Sequence, residues 1–213
     1  MAQALQAICQ QSAAQGWQLE QAHEIRTVTV AVEPLTARVF APYGGLLAGG
    51  AEAASYVRPG LDVWAQPFLA SAPPRLQVMR YHHQPMDFAL LERHVGVTEA
   101  RVPLAGAAAV LVVGGLTDIV DAGDVPEPTS LRAFLLDGTC GVIFRPGLWH
   151  ALDCFPVSSP HADFLLISDE ATEREIEGQK SPVSGRWTHV ADYAAQGVSF
   201  EVSDPRGLLM FPG

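Results

Sequence analysis

From Thr27 onward the chain is a succession of short apolar and β-branched stretches cut by Pro and Gly, beginning with the alternation TVTVAV. Pro removes a backbone donor and Gly favours turns, so long helices do not survive such punctuation, whereas short strands fit between the breaks. Strands are expected at 28–33, 45–48, 76–81, 88–94, 99–103, 108–113, 131–136, 142–144 and 163–168. Many short strands joined by turns bury a core by closing or stacking on themselves, which predicts a mainly β barrel or jelly roll. The polar, proline-broken segment 118–130 reads as a surface loop between its two halves.

The flanks have a different texture. Residues 2–22 are rich in Ala, Gln and Leu, lack Pro, and place Leu5, Ile8, Ala13 and Trp17 at loosely helical spacing, so a helix is expected there. The chain then divides into a helical extension over 1–26, a barrel over 27–175 and a C-terminal extension over 176–213. A charged run, ATEREIEGQK, predicts a short helix, and the tail beyond it carries Trp187, His189, Tyr193 and Phe200. Aromatic side chains in a tail imply docking, either on the barrel or on a second subunit.

With 48% hydrophobic and 17% charged residues, the chain has ample apolar surface for a core and is not of disordered composition. A net charge of -10 and a pI near 5.0 argue against nucleic acid or an anionic membrane as partner, since both attract Lys and Arg. The longest apolar run, 104–116, falls short of the roughly 20 residues of a membrane span. Cys9, Cys140 and Cys154 show no CxxC spacing, and the opening MAQALQAICQQ has neither a basic nor an apolar leader region. These features predict ordinary thiols, a reducing cytoplasm and a small-molecule partner.

The chemistry concentrates in LLERHVGVTEARVPLAG, where Glu92, His94, Glu99 and Gly106 stand as E-x-H-x4-E-x6-G. Alternation puts Glu92 and His94 on one face of a strand. Glu99 follows after four residues, a spacing suited to a hairpin that brings the next strand back beside the first. In GTCGVIFRPGLWH, a turn at Pro146-Gly147 precedes His150, which would be a fourth convergent ligand. The competing interpretation makes Glu92 and Arg93 surface charges and the two histidines hydrogen-bonded core residues. His82 and His83 are adjacent, so only one can face the interior; Trp149 and Tyr43 read as packing residues. Arg132, between Leu131 and Ala133-Phe134, is either a carboxylate anchor or one half of an ion pair.

These two pieces resemble the paired cupin motifs, in which a His-x-His, a Glu and a later His hold a divalent metal inside a β-barrel. Here Glu92 replaces the first His, the Pro-x-Gly is compressed to Pro146-Gly147, and Cys154 stands where Asn is usual. The segments VEPLTARVFAPYGGLL, LLERH, PTSLRAF, GVIFRPGLWH and DFLLI also occur here in the order found in the ureidoglycolate lyase family, over about residues 28–170. Val95, Glu99 and Leu152-Asp153 depart from the family's usual Pro, Gln and Pro-Leu.

The resemblance implies a C–N lyase of the amidine type that cleaves (S)-ureidoglycolate, or a related N-substituted hydroxy or amino acid, to glyoxylate and urea in allantoin breakdown. It implies a metal held by Glu92, His94 and His150, with or without Glu99; imidazole and carboxylate suit Ni, Zn, Mn or Fe alike. Glu99 or His82 would then carry the proton, Arg132 or Arg93 would meet the substrate carboxylate, and the assembly would be a homodimer. Alternation turns Arg93 away from Glu92 and His94, which favours a structural or surface salt bridge for it. Two other readings remain open: a metal-dependent cupin of isomerase or dioxygenase chemistry, and a non-catalytic cupin that binds a small molecule.

Overall fold

The computed structural model of the protein describes residues 25–209, so the helix expected over 2–22 lies outside the described residues. In chain order the strands are β1 (Arg26–Val30), β2 (Val32–Pro34), β3 (Gly44–Leu47), β4 (Tyr56–Arg58), β5 (Leu61–Val63), β6 (Pro74–His82), β7 (Asp87–Phe88), β8 (Leu90–His94) and β9 (Glu99–Leu104). There follow β10 (Ala109–Leu116), β11 (Arg132–Leu136), β12 (Gly141–Phe144), β13 (Leu148–Ala151), β14 (Phe155–Pro156), β15 (His161–Asp169), β16 (Thr188–Asp192) and β17 (Val198–Val202). The loop expected over 118–130 is present, closed by a short 3-10 turn at Pro128–Ser130.

The strands form layers. One sheet runs β16-β8-β13-β10-β11-β2, with β14 also on β10, and a five-stranded sheet runs β3-β12-β9-β15-β6. Alternation sends Leu111, Val113 and Phe134 of the first and Tyr81, Phe144 and Phe164 of the second into one buried cluster between them. The opposite face of the first sheet contributes Leu91, Val112, Ala133 and Trp149 to a second cluster, covered by Val30, Val198, Phe200 and Val202. Those covering residues belong to β1 and β17, which pair in parallel beside β7 in a third sheet. The mainly β class and two-sheet jelly-roll layering match the sequence reading. Closure does not: among the described residues no ladder joins the two large sheets into a barrel.

A second correction concerns residues 95–98. The expected hairpin is absent, because β8 pairs with β13 and β16 whereas β9 pairs with β12 and β15. The connection instead crosses from one sheet to the other, its backbone tied to distant segments by Val95 N–H to the Trp187 carbonyl and Thr98 N–H to the Leu69 carbonyl. Gly96 is required at this crossing, since a Cβ there would sit 2.6 Å from the Trp187 ring.

The tail docks on its own chain. β16 adds to the first sheet beside β8, and Phe200 stacks on Phe88 at 5.0 Å and meets the Tyr193 ring edge-on. Tyr193 is fully buried and donates its hydroxyl to the Pro126 carbonyl at 2.6 Å, fastening the tail to the 118–130 loop. Tyr193→Phe leaves that carbonyl without its partner, and an expected loss of about 1–2 kcal/mol will appear in urea denaturation as a lower midpoint at unchanged slope. The helix expected in ATEREIEGQK spans Glu170–Glu177, its N-cap Asp169 accepting from Thr172 N–H at 2.9 Å.

Candidate functional site

Three strands deliver the site into the space between the two large sheets. In β8, Leu91 and Arg93 face the outer cluster, so Glu92 and His94 face inward. β13 lies against β8 in the register that pairs His150 with Glu92, and alternation turns Leu148 and His150 inward while Trp149 turns out. From the opposite sheet, β9 presents Glu99 and Arg101. The pattern E-x-H thus meets Glu99 across the interior rather than along a hairpin.

Glu92, His94 and His150 each offer a ligand atom, all within 4.8 Å of one another. His94 Nε2 lies 3.9 Å from Glu92 Oε1 and 3.2 Å from Glu99 Oε2, and His150 Nε2 lies 3.8 Å from that same Glu99 oxygen. Each imidazole is oriented through its other nitrogen: His94 Nδ1 by the Thr188 hydroxyl at 3.1 Å, His150 Nδ1 by the Ala151 carbonyl at 3.0 Å. His150 Nε2 is buried and has no hydrogen-bond partner. A buried nitrogen aimed at two carboxylates and left unsatisfied fits a cation ligand and is costly otherwise. The donor set of two imidazoles and a carboxylate therefore suits a divalent transition metal.

The electrostatics depend on Arg101, which the sequence reading did not single out. It is buried, bonds the Glu99 carboxylate through Nε, and approaches Cys154 Sγ and His150 Nδ1 at 3.4 Å each. Its guanidinium lies 5.3 Å from the Phe144 ring centre. Burial would raise the Glu99 pKa, but Arg101, His150 and His94 together hold it well below the usual carboxylate range. At His150, burial and then the Arg101 charge push the pKa down to about 3, which keeps the ring neutral and its lone pair available. Burial acts the same way on His94 but is outweighed by the Glu99 hydrogen bond and by the Glu92 and Glu99 charges, so its pKa rises. Glu92 is shifted upward, chiefly by burial. The one signal for Arg101 in the sequence was its i+2 spacing from Glu99, which puts both on one face of a strand.

Not all candidates gather here. His82 is exposed on β6, on the face opposite buried Tyr81, and its ring neighbour is His161 at 6.5 Å. Arg132 pairs with Glu33 through Nε at 2.7 Å and lies over Phe134, so its guanidinium is engaged at the β11–β2 edge. Arg93 is fully buried on the outer face, stacked over Trp149 and bonded to His189, Thr117 and the carbonyls of Asp118 and Asp121. It is structural, as alternation suggested, but buried and without a carboxylate partner. Cys140 and Cys154 are free thiols.

Glu92 forms part of the wall of a pocket of about 320 Å³ shared with Thr188, the hydroxyl that orients His94. A larger cleft, about 440 Å³ and lined by Gly45, Gln66 and Arg145, includes none of Glu92, His94, Glu99 and His150. Of the two, the smaller pocket is the one that reaches the cluster, at Glu92. No helix among the described residues is long and apolar enough to cross a membrane.

Comparison with known proteins adds a family. Residues 27–186 match the family model described as ureidoglycolate lyase. Curated relatives named ureidoglycolate lyase include one from Pseudomonas aeruginosa strain LESB58, 33% identical over 65% of this chain and 82% of that protein. Another, from Pseudomonas fluorescens strain Pf0-1, is 29% identical over 65% of this chain and 83% of its own length. The relative from Brucella anthropi is 27% identical over 70% and 88%, respectively. Among solved structures, RmlC from Streptococcus suis in complex with dTDP-D-xylose overlaps 62% of this chain and 61% of that one, at 12% identity and a TM-score of 0.30.

Proposed function

Because the chain belongs to the ureidoglycolate lyase family, we propose that it cleaves ureidoglycolate to glyoxylate and urea at the cluster of Glu92, His94 and His150. The observation that carries this reading is the buried, unpartnered His150 Nε2 facing two carboxylates, one of which, Glu92, lines a substrate-sized pocket. Glu92, His94 and His150 would hold a divalent metal, which when bound supplies a Lewis acid for a hydroxy acid.

The reaction breaks the bond between the hydroxyl-bearing carbon and nitrogen. The hydroxyl oxygen loses its proton and becomes the aldehyde oxygen of glyoxylate, while the bonding pair leaves with nitrogen, which takes up a proton to give urea. A group beside the reacting carbon must accept the first proton and supply the second. Glu99 is that group in this reading. Its Oε2 lies beside both imidazole Nε2 atoms, while Arg101 fixes the other oxygen and keeps the carboxylate ionised. Thr188 and the Ala151 carbonyl hold the imidazoles in place during turnover. Phe144, 5.2 Å from the His150 ring, limits water on that side. The enzyme is in this reading an amidine-type C–N lyase, and its metal one of Ni, Zn, Mn or Fe.

The test is glyoxylate release from racemic ureidoglycolate by the purified protein before chelation, after chelation, and after adding back Ni, Mn, Zn or Fe(II). Release of one enantiomer's worth, lost on chelation and restored by one metal, is the expected result. Absence of release with every metal would remove the lyase reading.

A further inference from the structure

The pocket at Glu92 has one feature the reaction does not yet use. Glu92 and Thr188 line it from the sheet, and Ile176, Lys180 and Pro182 complete it from the end of the Glu170–Glu177 helix and the segment that follows. Lys180 is the one cation in that lining, and it is the only lysine in the whole sequence. It is exposed, and among the described residues it has no ion-pair or hydrogen-bond partner.

The cationic side chains nearer the chemistry are committed elsewhere. Arg101 is buried against Glu99, and Arg93 is spent on carbonyls and Thr117 on the far side of β8. In a chain of net charge -10, Lys180 is the positive side chain that this lining offers to an anionic substrate. An ammonium on a four-carbon stem can follow a carboxylate into the pocket and gains strength as the substrate displaces water around it.

We infer that Lys180 binds the carboxylate of the substrate at the pocket rim, making the segment after the helix a specificity element for α-substituted small acids. This assignment rests on the lyase reading for its substrate but not for its anion chemistry. Lys180 makes no bond to the reacting carbon, so its loss weakens binding more than turnover. In Lys180→Met the KM for ureidoglycolate rises about tenfold or more while kcat stays within about threefold, and Lys180→Arg recovers most of the loss. Unchanged KM in Lys180→Met overturns the inference.

A second measurement does not need turnover. Reductive methylation with a carbon-13 label marks a single lysine side chain, since there is only one. Its dimethylamine resonance is expected to shift saturably with glycolate and not with the neutral glycolamide. If the wild-type protein releases no glyoxylate, the lyase reading fails, and this titration still decides the lysine: a saturable glycolate shift upholds it as an anion site, and an unmoved resonance overturns it.

Discussion

Glu92→Gln lowers glyoxylate release by about a thousandfold or more while the protein stays folded. The amide has the shape of the carboxyl but neither its charge nor its strength as a metal ligand, so the change separates chemistry from architecture. Burial already shifts the Glu92 carboxyl toward its neutral form, which makes the neutral substitute inexpensive for the fold. Metal content measured beside activity completes the experiment: both should fall together, with the thermal midpoint within a few degrees of wild type. The binding-only alternative expects something else, namely no turnover in either protein and equal affinity for a small acid. Full glyoxylate release by Glu92→Gln would sink the mechanism proposed for this cluster.

Arg101→Met has the largest expected effect on stability. Glu99 and Arg101 are both buried and bonded to each other, and the methionine leaves Glu99 without its main counter-charge. Breaking a buried pair on one side costs about 3–5 kcal/mol, or about 6–20 °C in melting temperature for a chain of this size. The double variant Glu99→Gln with Arg101→Met removes both charges and should regain much of that loss, although it remains inactive if Glu99 moves the proton. The pH dependence has a definite sign. In the wild type the Glu99 carboxyl is depressed below its reference value of 4.5, so its contribution is complete above that pH and is lost as pH falls through the lower folded value. The gap between Arg101→Met and wild type should therefore narrow in acid. A melting temperature within about 2 °C of wild type at neutral pH would show that Arg101 is dispensable to the fold.

Much of this protein was legible from local pattern. Alternation at Glu92, Arg93 and His94 assigned the inward and outward side chains correctly, because side-chain direction in a strand depends only on neighbours in sequence. Punctuation by Pro and Gly located most strands for the same reason. The strand Leu148–Ala151, which carries His150, is not legible from pattern, since it follows directly on the Pro146-Gly147 turn. A site role for His82 or Arg132 depends on where their strands sit. Position in the sheets, with β6 at an edge and β2 bringing Glu33 within reach of Arg132, is what turned both toward other partners.

What the sequence determined by itself was the mainly β class, the inward face of β8 and a family resemblance carried by ordered segments. Tertiary structure alone decided that 95–98 crosses between sheets, that β13 sets His150 opposite Glu92, and that Arg101 seals Glu99 beneath the cluster. The physical reason is range. Turn and strand preferences act over a few residues, whereas sheet membership and the pairing of buried charges are settled by packing between segments about fifty residues apart, as with Arg101 and His150. The same packing brings residues after the Glu170–Glu177 helix, the chain's single lysine among them, into one pocket with Glu92.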